Sequence, residues 1–291
     1  MDGARVRDDV APDRRLWIVF AFLLVVGLSR SPDAFLHGRF FAEEGTLYFP
    51  HMVTHATPGN LTYVQPKVGY FYLFADVATW CAAQVSLLHA PLVTTWSSFG
   101  IVAAIVGVVL RWPSELFPTV GARVVAATLF VAGTLALPQI WASTTDSQSY
   151  LAILALLLLF VETERLRRYQ FVAGGVLLVV AGLSGLYACA LVPCFAATAW
   201  TDRSRRRILY AGLIAAASVC QLGVLVWSKA SGNLSQARSG LPSIGTVVRG
   251  VSAFHVVGLF SGSSLAARVN RRAAGTGGLV LMTSPRSRSS W

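Results

Sequence analysis

The chain has 291 residues, of which 55% are hydrophobic and only 13% are charged. Soluble globular domains carry about 25% charged residues, so this composition, with a mean hydropathy of +0.60, excludes an ordinary water-soluble domain and indicates a polytopic membrane protein. The net charge of +11 does not indicate a nucleic-acid partner, because the arginines cluster at the ends of apolar segments, where they set topology.

The N-terminal residues predict a cytoplasmic start followed by a first membrane helix. Residues 1–15 are polar and end in two arginines, and Leu16 to Leu28 form a short apolar run. A basic start before about 13 apolar residues also fits a secretory signal peptide. No Ala-x-Ala cleavage site follows, so we expect an uncleaved helix whose N-terminus stays in the cytoplasm.

Residues 30–67 form a long polar loop on the predicted outer side, and this loop contains the sequence RFFAEEGT with Glu43 and Glu44. Two carboxylates at a membrane surface can activate a hydroxyl, hold a cation or stabilise developing positive charge. Apolar surroundings raise the pKa of a carboxyl and make it a better general base near neutral pH. The alternative is a solvated loop, but Phe40 and Phe41 favour a loop packed down on the membrane.

Six further apolar runs lie at about 69–88, 92–110, 120–140, 149–161, 171–200 and 209–228. A crossing needs about 20 residues, so the 171–200 run, which lies between two basic loops, predicts a hairpin of two half-length helices that turns at Ser184-Gly185. The outer loop and the basic loop at residues 165–168 are predicted to lie on opposite sides of the membrane, so an odd number of crossings must separate them. Four apolar runs lie between these two loops. We therefore expect the 69–88 run, which contains Asp76, to be re-entrant or interfacial.

These patterns predict an all-α, polytopic transmembrane protein with about seven to nine membrane segments, short or re-entrant helices included. The transmembrane core spans residues 16–228. Residues 229–267 are predicted to form a loop and a weak last membrane segment, and residues 268–291 a disordered basic tail, because they are rich in Arg, Gly and Ser.

A second polar segment, Ser143 to Tyr150, lies between two apolar runs and contains Asp146. Acids in or beside a membrane are costly and are functional candidates. The alternative is an outer loop that caps the next helix, with Asp146 or Ser147 at the N-cap. Both interpretations stay open on the sequence.

Arg39 and Lys67 lie near the two ends of the outer loop. Either cation could bind a phosphate at the interface, Arg through bidentate hydrogen bonds and Lys as a point charge. The alternative is a cation that snorkels to the interface.

No resident cofactor is predicted. His51 and His55 have the i, i+4 spacing that metals use on helices, but the Glu of a zinc-protease motif is missing, and we expect interfacial histidines rather than a metal site. The cysteines lie inside apolar runs without Cys-x-x-Cys spacing. No nucleotide-binding motif is found. A divalent cation at the acidic pair remains compatible with the sequence.

Several of these segments together resemble a known family. The outer-loop FFAEEG, the QPKVGY that starts at Gln65, the polar Ser143–Tyr150 segment and the AGLSGLY within the broken apolar run occur in this order. The pattern resembles bacterial multi-pass membrane glycosyltransferases of the GT-C fold class, over roughly residues 16–228. Those enzymes use polyprenyl-phosphate sugars as donors and carry a catalytic acid in the first outer loop.

The resemblance implies roles for six residues of this chain. Glu43 or Glu44 would activate the acceptor hydroxyl. The candidates for contacts with the donor phosphate or sugar are Arg39, Lys67, Asp146 and Gln148. The implied partners are a polyprenyl-phosphate sugar donor, a cell-envelope glycan or lipid acceptor and the lipid bilayer, and the implied location is the bacterial cytoplasmic membrane.

Two other functions remain open on the sequence. A transporter or flippase of a lipid-linked substrate would use Asp76, Asp146 and the Ser184-Gly185 break as a path through the membrane, but no inverted repeat supports it. A truncated, non-catalytic membrane protein is the other alternative, because the family pattern fades after residue 228.

Overall fold

The computed structural model describes residues 14–232, except residues 42, 56, 66–67 and 135–140. The described part is mostly helical, which confirms the all-α class. Its helices are α1 (Arg14–Ser29), α2 (Pro32–Leu36), α3 (Phe49–Thr54), α4 (Leu73–Ala83), α5 (Ala90–Arg111), α6 (Val120–Thr134), α7 (Ser147–Leu159), α8 (Arg168–Gly182), α9 (Val192–Asp202) and α10 (Arg205–Ala230). The predicted last membrane segment and basic tail lie outside the described residues.

Short elements connect these helices. A π-helical turn spans Glu44–Tyr48, and 3₁₀ turns span Pro58–Thr62, Thr163–Arg165 and Ala188–Leu191. Strands β1 (Val64–Gln65) and β2 (Tyr70–Phe71) pair antiparallel, with Val64 opposite Phe71 and Gln65 opposite Tyr70.

Two helices of the described part, α5 and α10, are long and apolar enough to cross a membrane. α4, α6, α7 and α8 are apolar but shorter. α4, with 11 residues, extends only about half of the roughly 30 Å of a bilayer core at 1.5 Å per residue. The expectation that the 69–88 run is re-entrant or interfacial stays a prediction.

The first residues of the predicted 69–88 helix form a strand instead. Gln221, fully buried on α10, accepts a hydrogen bond from the Phe71 backbone N–H at 2.9 Å and donates one to the Phe71 carbonyl oxygen at 2.8 Å. The Gln221 amide therefore satisfies both backbone groups of Phe71 that a helix would have used. This contact links residues far apart in the chain, which explains why local hydropathy predicted a helix.

The 171–200 run is broken where the sequence predicted, but the turn is wider than two residues. α8 ends at Gly182 and α9 begins only at Val192, with Gly185 between them at a φ of +114°. This backbone conformation favours glycine because it lacks a Cβ. Both α8 and α9 pack against α10.

α8 and α10 run parallel and approach closely through glycines of α8. A Cβ on Gly174 would overlap the Tyr210 hydroxyl, and a Cβ on Gly182 would lie 2.6 Å from the Ala217 Cβ. The Tyr210 ring stacks on Phe171 with centroids 4.9 Å apart, and its hydroxyl donates to the Phe171 carbonyl at 2.9 Å. These contacts bring the N-terminal ends of the two helices to the same side of the bundle.

Arg207, at the start of α10, joins three segments at that end. The residue is buried, and its guanidinium pairs with Glu115 at 2.8 Å and with Asp202 at 2.9 Å. It also donates to the Leu159 carbonyl oxygen, at the last residue of α7, at 2.6 Å. A buried cation needs such partners, because an unpaired charge is costly to desolvate.

Replacing Arg207 by Met is expected to lower the free energy of unfolding by about 2 kcal/mol. A wholly buried pair costs roughly 3–5 kcal/mol to break, but the two carboxylates here are about half exposed and are screened. The measurement is thermal unfolding in detergent. The matched control is Arg165→Met, which breaks an exposed pair with Glu162 and should change stability by less than about 1 kcal/mol. Equal effects of the two variants would contradict the structural role of Arg207.

Candidate functional site

Glu44, the first residue of the π-helical turn, is fully buried and joins two distant segments. One carboxylate oxygen accepts hydrogen bonds from the backbone N–H and, at 2.6 Å, the hydroxyl of Thr144. The other accepts from the Phe41 backbone N–H at 3.0 Å. Burial raises the pKa of Glu44, against the lowering effect of these hydrogen bonds. Glu44 therefore attaches the outer loop to the Ser143–Tyr150 segment.

Glu43 is only half-buried and lies beside Asp146. Burial raises the pKa of Asp146, and the nearby charge of Glu43 raises it further. Asp146 occupies the N-cap position of α7 but makes no side-chain capping hydrogen bond, so the capping interpretation does not account for its carboxylate. The partly buried carboxylates of Asp146 and Glu43 form an acidic pair from two segments that the Glu44–Thr144 contact holds together.

Tyr72 fixes the backbone beside this acidic pair. Its buried hydroxyl donates to the Thr145 carbonyl oxygen and accepts from the Gln148 backbone N–H at 2.9 Å. Burial raises the pKa of Tyr72 well above its usual value, so the hydroxyl stays protonated and keeps both bonds. Tyr72 was not predicted as a site residue. Its hydrogen bonds link positions more than 70 residues apart, which no local pattern reveals.

Gln148 and the broken helix complete this region. A Cβ on Gly185 would overlap the Gln148 side-chain oxygen, so the Gln148 side chain lies directly against the break between α8 and α9. Ser184 forms an antiparallel bridge with Tyr72, and its hydroxyl accepts from the Phe74 backbone N–H at 3.0 Å. The structure thus brings the break, Gln148 and the start of α4 to one place.

Of the two cations that the sequence predicts to bind phosphate, Arg39 lies in the described part of the chain and Lys67 does not. The Arg39 side chain is exposed, and its guanidinium lies over the Phe41 ring at 4.9 Å from the centroid. Phe41 in turn donates its backbone N–H to Glu44, so Arg39 contacts a residue that is hydrogen-bonded to the buried anchoring acid. Lys67 lies outside the described residues, and its predicted phosphate contact stays a prediction.

His51 and His55 stack on each other instead of converging on a common point. Their ring centroids are 4.7 Å apart, and Tyr63 stacks on His51 with centroids 3.6 Å apart. Burial and the neighbouring His55 lower the pKa of His51. Within the part of the chain that the structure describes, no group of three or more His, Cys, Asp or Glu side chains is arranged to hold a metal ion.

Asp76, which the sequence placed on the path of the alternative transporter, is a buried acid on α4. The residue has no exposed surface, and neither carboxyl oxygen has a hydrogen-bond partner among the described residues. One turn later, the Thr79 hydroxyl donates to the Ala75 carbonyl oxygen at 2.6 Å. A buried polar group without a partner costs roughly 1–3 kcal/mol, so Asp76 is retained at the expense of stability.

Replacing Asp76 by Leu is therefore expected to raise the free energy of unfolding by about 1–2 kcal/mol. The change removes an unpartnered carboxyl and replaces it by an apolar group with the same branch point at Cγ. Thermal unfolding in detergent measures the effect. Thr79→Val, at a buried position on the same helix whose hydroxyl has a partner, is the control and should not raise stability. A destabilised Asp76→Leu protein would show that the carboxyl makes a stabilising interaction.

The site thus consists of a partly exposed acidic pair and a buried anchoring acid, at the junction of the outer loop with α7 and the broken α8–α9 segment, with the exposed Arg39 on the same outer loop. A half-exposed carboxylate can accept a proton from a bound hydroxyl, and the arginine can contact an anion. Comparison of the chain with protein-family models, with curated proteins and with solved structures found no match.

Proposed function

We propose that this protein is a membrane glycosyltransferase that transfers a sugar from a polyprenyl-phosphate donor to a cell-envelope glycan or lipid acceptor. The observation that carries the proposal is the acidic pair of Glu43 and Asp146, which two distant polar segments bring close enough for one charge to act on the other. The resemblance of the outer-loop sequence to GT-C glycosyltransferases supports the same assignment.

The proposal includes a multi-pass placement in the bacterial cytoplasmic membrane. Helices α5 and α10, which are long enough to cross a membrane, support a membrane location. The shorter apolar helices are proposed to cross the membrane with a bend, to cross it together as pairs, or to enter it only part of the way. The arginines near residues 165–168 and 203–207 are proposed to face the cytoplasm. The acidic pair then lies on the outer face, where a lipid-linked donor presents its sugar.

In the proposed reaction, Glu43 accepts the proton of the acceptor hydroxyl while the hydroxyl oxygen forms a bond to the anomeric carbon of the sugar. The bond between that carbon and the donor phosphate oxygen breaks, and the polyprenyl phosphate leaves with the electron pair. Arg39 and Lys67 are proposed to stabilise the charge on the leaving phosphate. Glu44 is a positioning residue, because its carboxylate is already occupied by Thr144 and Phe41.

A divalent cation is compatible with the acidic pair, since two carboxylates are the ligands that Mg²⁺ prefers. Glu43 and Asp146 would hold it, and its chemistry would be to neutralise the leaving phosphate. Transfer activity in membranes with and without a chelator distinguishes a metal-binding role of the acids from a proton-transfer role of Glu43. Loss of activity on chelation and recovery with Mg²⁺ would assign the acids to the metal. Full activity with the chelator would assign Glu43 to proton transfer.

The test of function compares the envelope glycans and lipid-linked sugars of cells without the protein, with it, and with Glu43→Gln at equal membrane abundance. We expect one sugar to disappear without the protein and to stay absent with Glu43→Gln, while its lipid-linked donor accumulates. Restoration of the sugar by Glu43→Gln would remove this acid from the mechanism. Identical profiles in all three strains would reject the transferase.

A transporter of a lipid-linked substrate is a second candidate, and the buried Asp76 is the observation that favours it. An acid without a hydrogen-bond partner on a short apolar helix, close to the broken α8–α9 segment, is typical of a substrate or ion path. Restoration of the profile by Glu43→Gln together with its loss in Asp76→Asn would favour transport over transfer.

A further inference from the structure

An apolar groove runs along the outside of α8 and α10 and belongs neither to the acidic site nor to the proposed reaction. Its volume is about 530 Å³, which lies in the range of roughly 300–1,000 Å³ for ligand cavities. The lining residues are Leu73, Phe171, Val172, Gly175, Val176, Val179, Val180, Leu209, Tyr210 and Leu213. Val172, Val176 and Leu209 are each more than half exposed, so the groove opens to the surroundings of the helix pair.

We propose that this groove binds one acyl chain of an anionic bilayer phospholipid, with the lipid phosphate at Arg168 and Arg205. The proposal depends on the membrane placement of the chain but not on the transferase activity.

The register of the two helices places both arginines at one end of the groove. α8 and α10 run parallel, because Gly174 lies against Tyr210 and Gly182, further along α8, lies against Ala217, further along α10. Residues four apart lie on the same face of a helix, so Arg168 lies one turn before the groove residue Val172, and Arg205 one turn before Leu209. Both arginines are exposed.

A third arginine, Arg206, lies at the same end of the groove. The Arg206 guanidinium lies over the Phe171 ring at 5.2 Å from its centroid and donates to the carbonyl oxygens of Thr163 and Leu166 at 2.7 and 2.8 Å. These hydrogen bonds hold Arg206 at the junction between the basic loop and α10. Arg168 and Arg205 are exposed and lie one turn before groove residues of their own helices.

Charge complementarity selects an anionic phospholipid as the occupant. The groove end combines two arginines with the N-terminal ends of two helices, and both features attract a phosphate. The phosphate of an anionic headgroup is attracted by the two arginines without opposition, whereas the ammonium of a zwitterionic headgroup is repelled by them. The tail of the proposed donor is a poorer fit, because its phosphate would lie near Leu73, at the opposite end from these cations.

The experiment measures lipid binding to the purified full-length chain in neutral detergent by native mass spectrometry. Phosphatidylglycerol and phosphatidylcholine with identical acyl chains are the probes, and roughly tenfold tighter binding of phosphatidylglycerol is expected. The double variant Arg168→Gln/Arg205→Gln should bind the two lipids equally. The matched control, Arg14→Gln/Lys229→Gln, removes two exposed charges elsewhere and should keep the preference. Retention of the preference in the first variant, or an equal loss in both, would overturn the headgroup assignment.

A second pair of variants tests the groove itself. Val176→Trp fills the middle of the groove and should reduce binding of both lipids at least tenfold. Val219→Trp, at an exposed position of α10 that is not among the groove residues, is the control and should bind both lipids as the unmodified chain does. Unchanged binding by Val176→Trp would overturn the acyl-chain assignment. Binding of polyprenyl phosphate that requires an open groove but neither arginine would assign the groove to the donor tail instead.

Discussion

Glu43→Gln is expected to lower the rate of sugar transfer by about 10²–10⁴-fold, because a positioned general base contributes a factor of this size. The amide keeps the shape of the side chain but cannot accept the proton of the acceptor hydroxyl. Glu43 is half-buried and is not the residue that anchors the loop, so the thermal stability of the variant should match that of the unmodified protein. The measurement is transfer of labelled sugar from a polyprenyl-phosphate donor in isolated membranes.

The control for Glu43→Gln is Asp33→Asn, another acid of the same outer loop. Asp33 is exposed and pairs only locally with His37, so its change should leave the rate within about twofold, as expected for an exposed pair. A normal rate for Glu43→Gln would contradict the proposed base. An equal loss of activity in both variants would show that the loop needs negative charge in general and not a base at position 43.

Glu44→Ala is expected to lower the free energy of unfolding by about 3–5 kcal/mol. The change leaves three donors without an acceptor, namely the Phe41 N–H and the N–H and hydroxyl of Thr144, and each buried unsatisfied group costs roughly 1–3 kcal/mol. Thr144→Val removes one of these donors and should cost about 1 kcal/mol. The measurement is thermal unfolding of both single variants and the double variant.

A double-mutant cycle tests whether Glu44 acts through Thr144. The double variant should be less destabilised than the sum of the single variants, with a coupling free energy of roughly 1 kcal/mol or more. Additive effects would mean that Glu44 stabilises the protein through other contacts. Glu44→Ala should also slow sugar transfer, because the acidic pair loses its positioning, but the pH dependence of the remaining activity should not change.

Stability should also depend on pH through Glu44. Because burial raises the pKa of Glu44 above 4.5 in the folded protein, the folded state binds more protons than the unfolded state between the two pKa values. The part of the Glu44 contribution that depends on its protonation is therefore fully present below pH 4.5 and is lost as the pH rises through the folded pKa. Glu44→Gln should lack this decline. A Gln variant with the same pH profile as the unmodified protein would contradict the buried position of Glu44.

Local patterns predicted the helices well and their long-range contacts poorly. The apolar run at 92–110 appears as α5, Ala90–Arg111, because hydropathy over about 20 residues needs no tertiary information. The strand at Tyr70–Phe71 was missed because Gln221, on the last described helix, determines it. The expectation of seven to nine membrane segments stays a prediction, because only α5 and α10 have sufficient length and apolar character in the described part.

The sequence indicated the site residues but not which of them is buried and which faces the acidic pair. Glu43 and Glu44 are neighbours of the same type, and nothing in their flanking residues tells which one is buried. The π-helical turn separates them: it begins at Glu44 and directs that side chain to Thr144, while Glu43 lies beside Asp146. Single π-helical turns are frequent at functional sites. Tyr72 was identified only through its contacts, and the sequence named Asp76 only as part of a transport path.

The bond between Glu44 and Thr144 joins residues one hundred positions apart, and this spacing determines when the site can form during synthesis. The outer loop emerges from the ribosome long before Thr144, so it first meets the membrane with an unanchored acid. The acidic pair assembles only after α5 and α6 are in place and the Ser143–Tyr150 segment has arrived. A chain that stops before Thr144 therefore has the outer loop but lacks the residue that anchors Glu44.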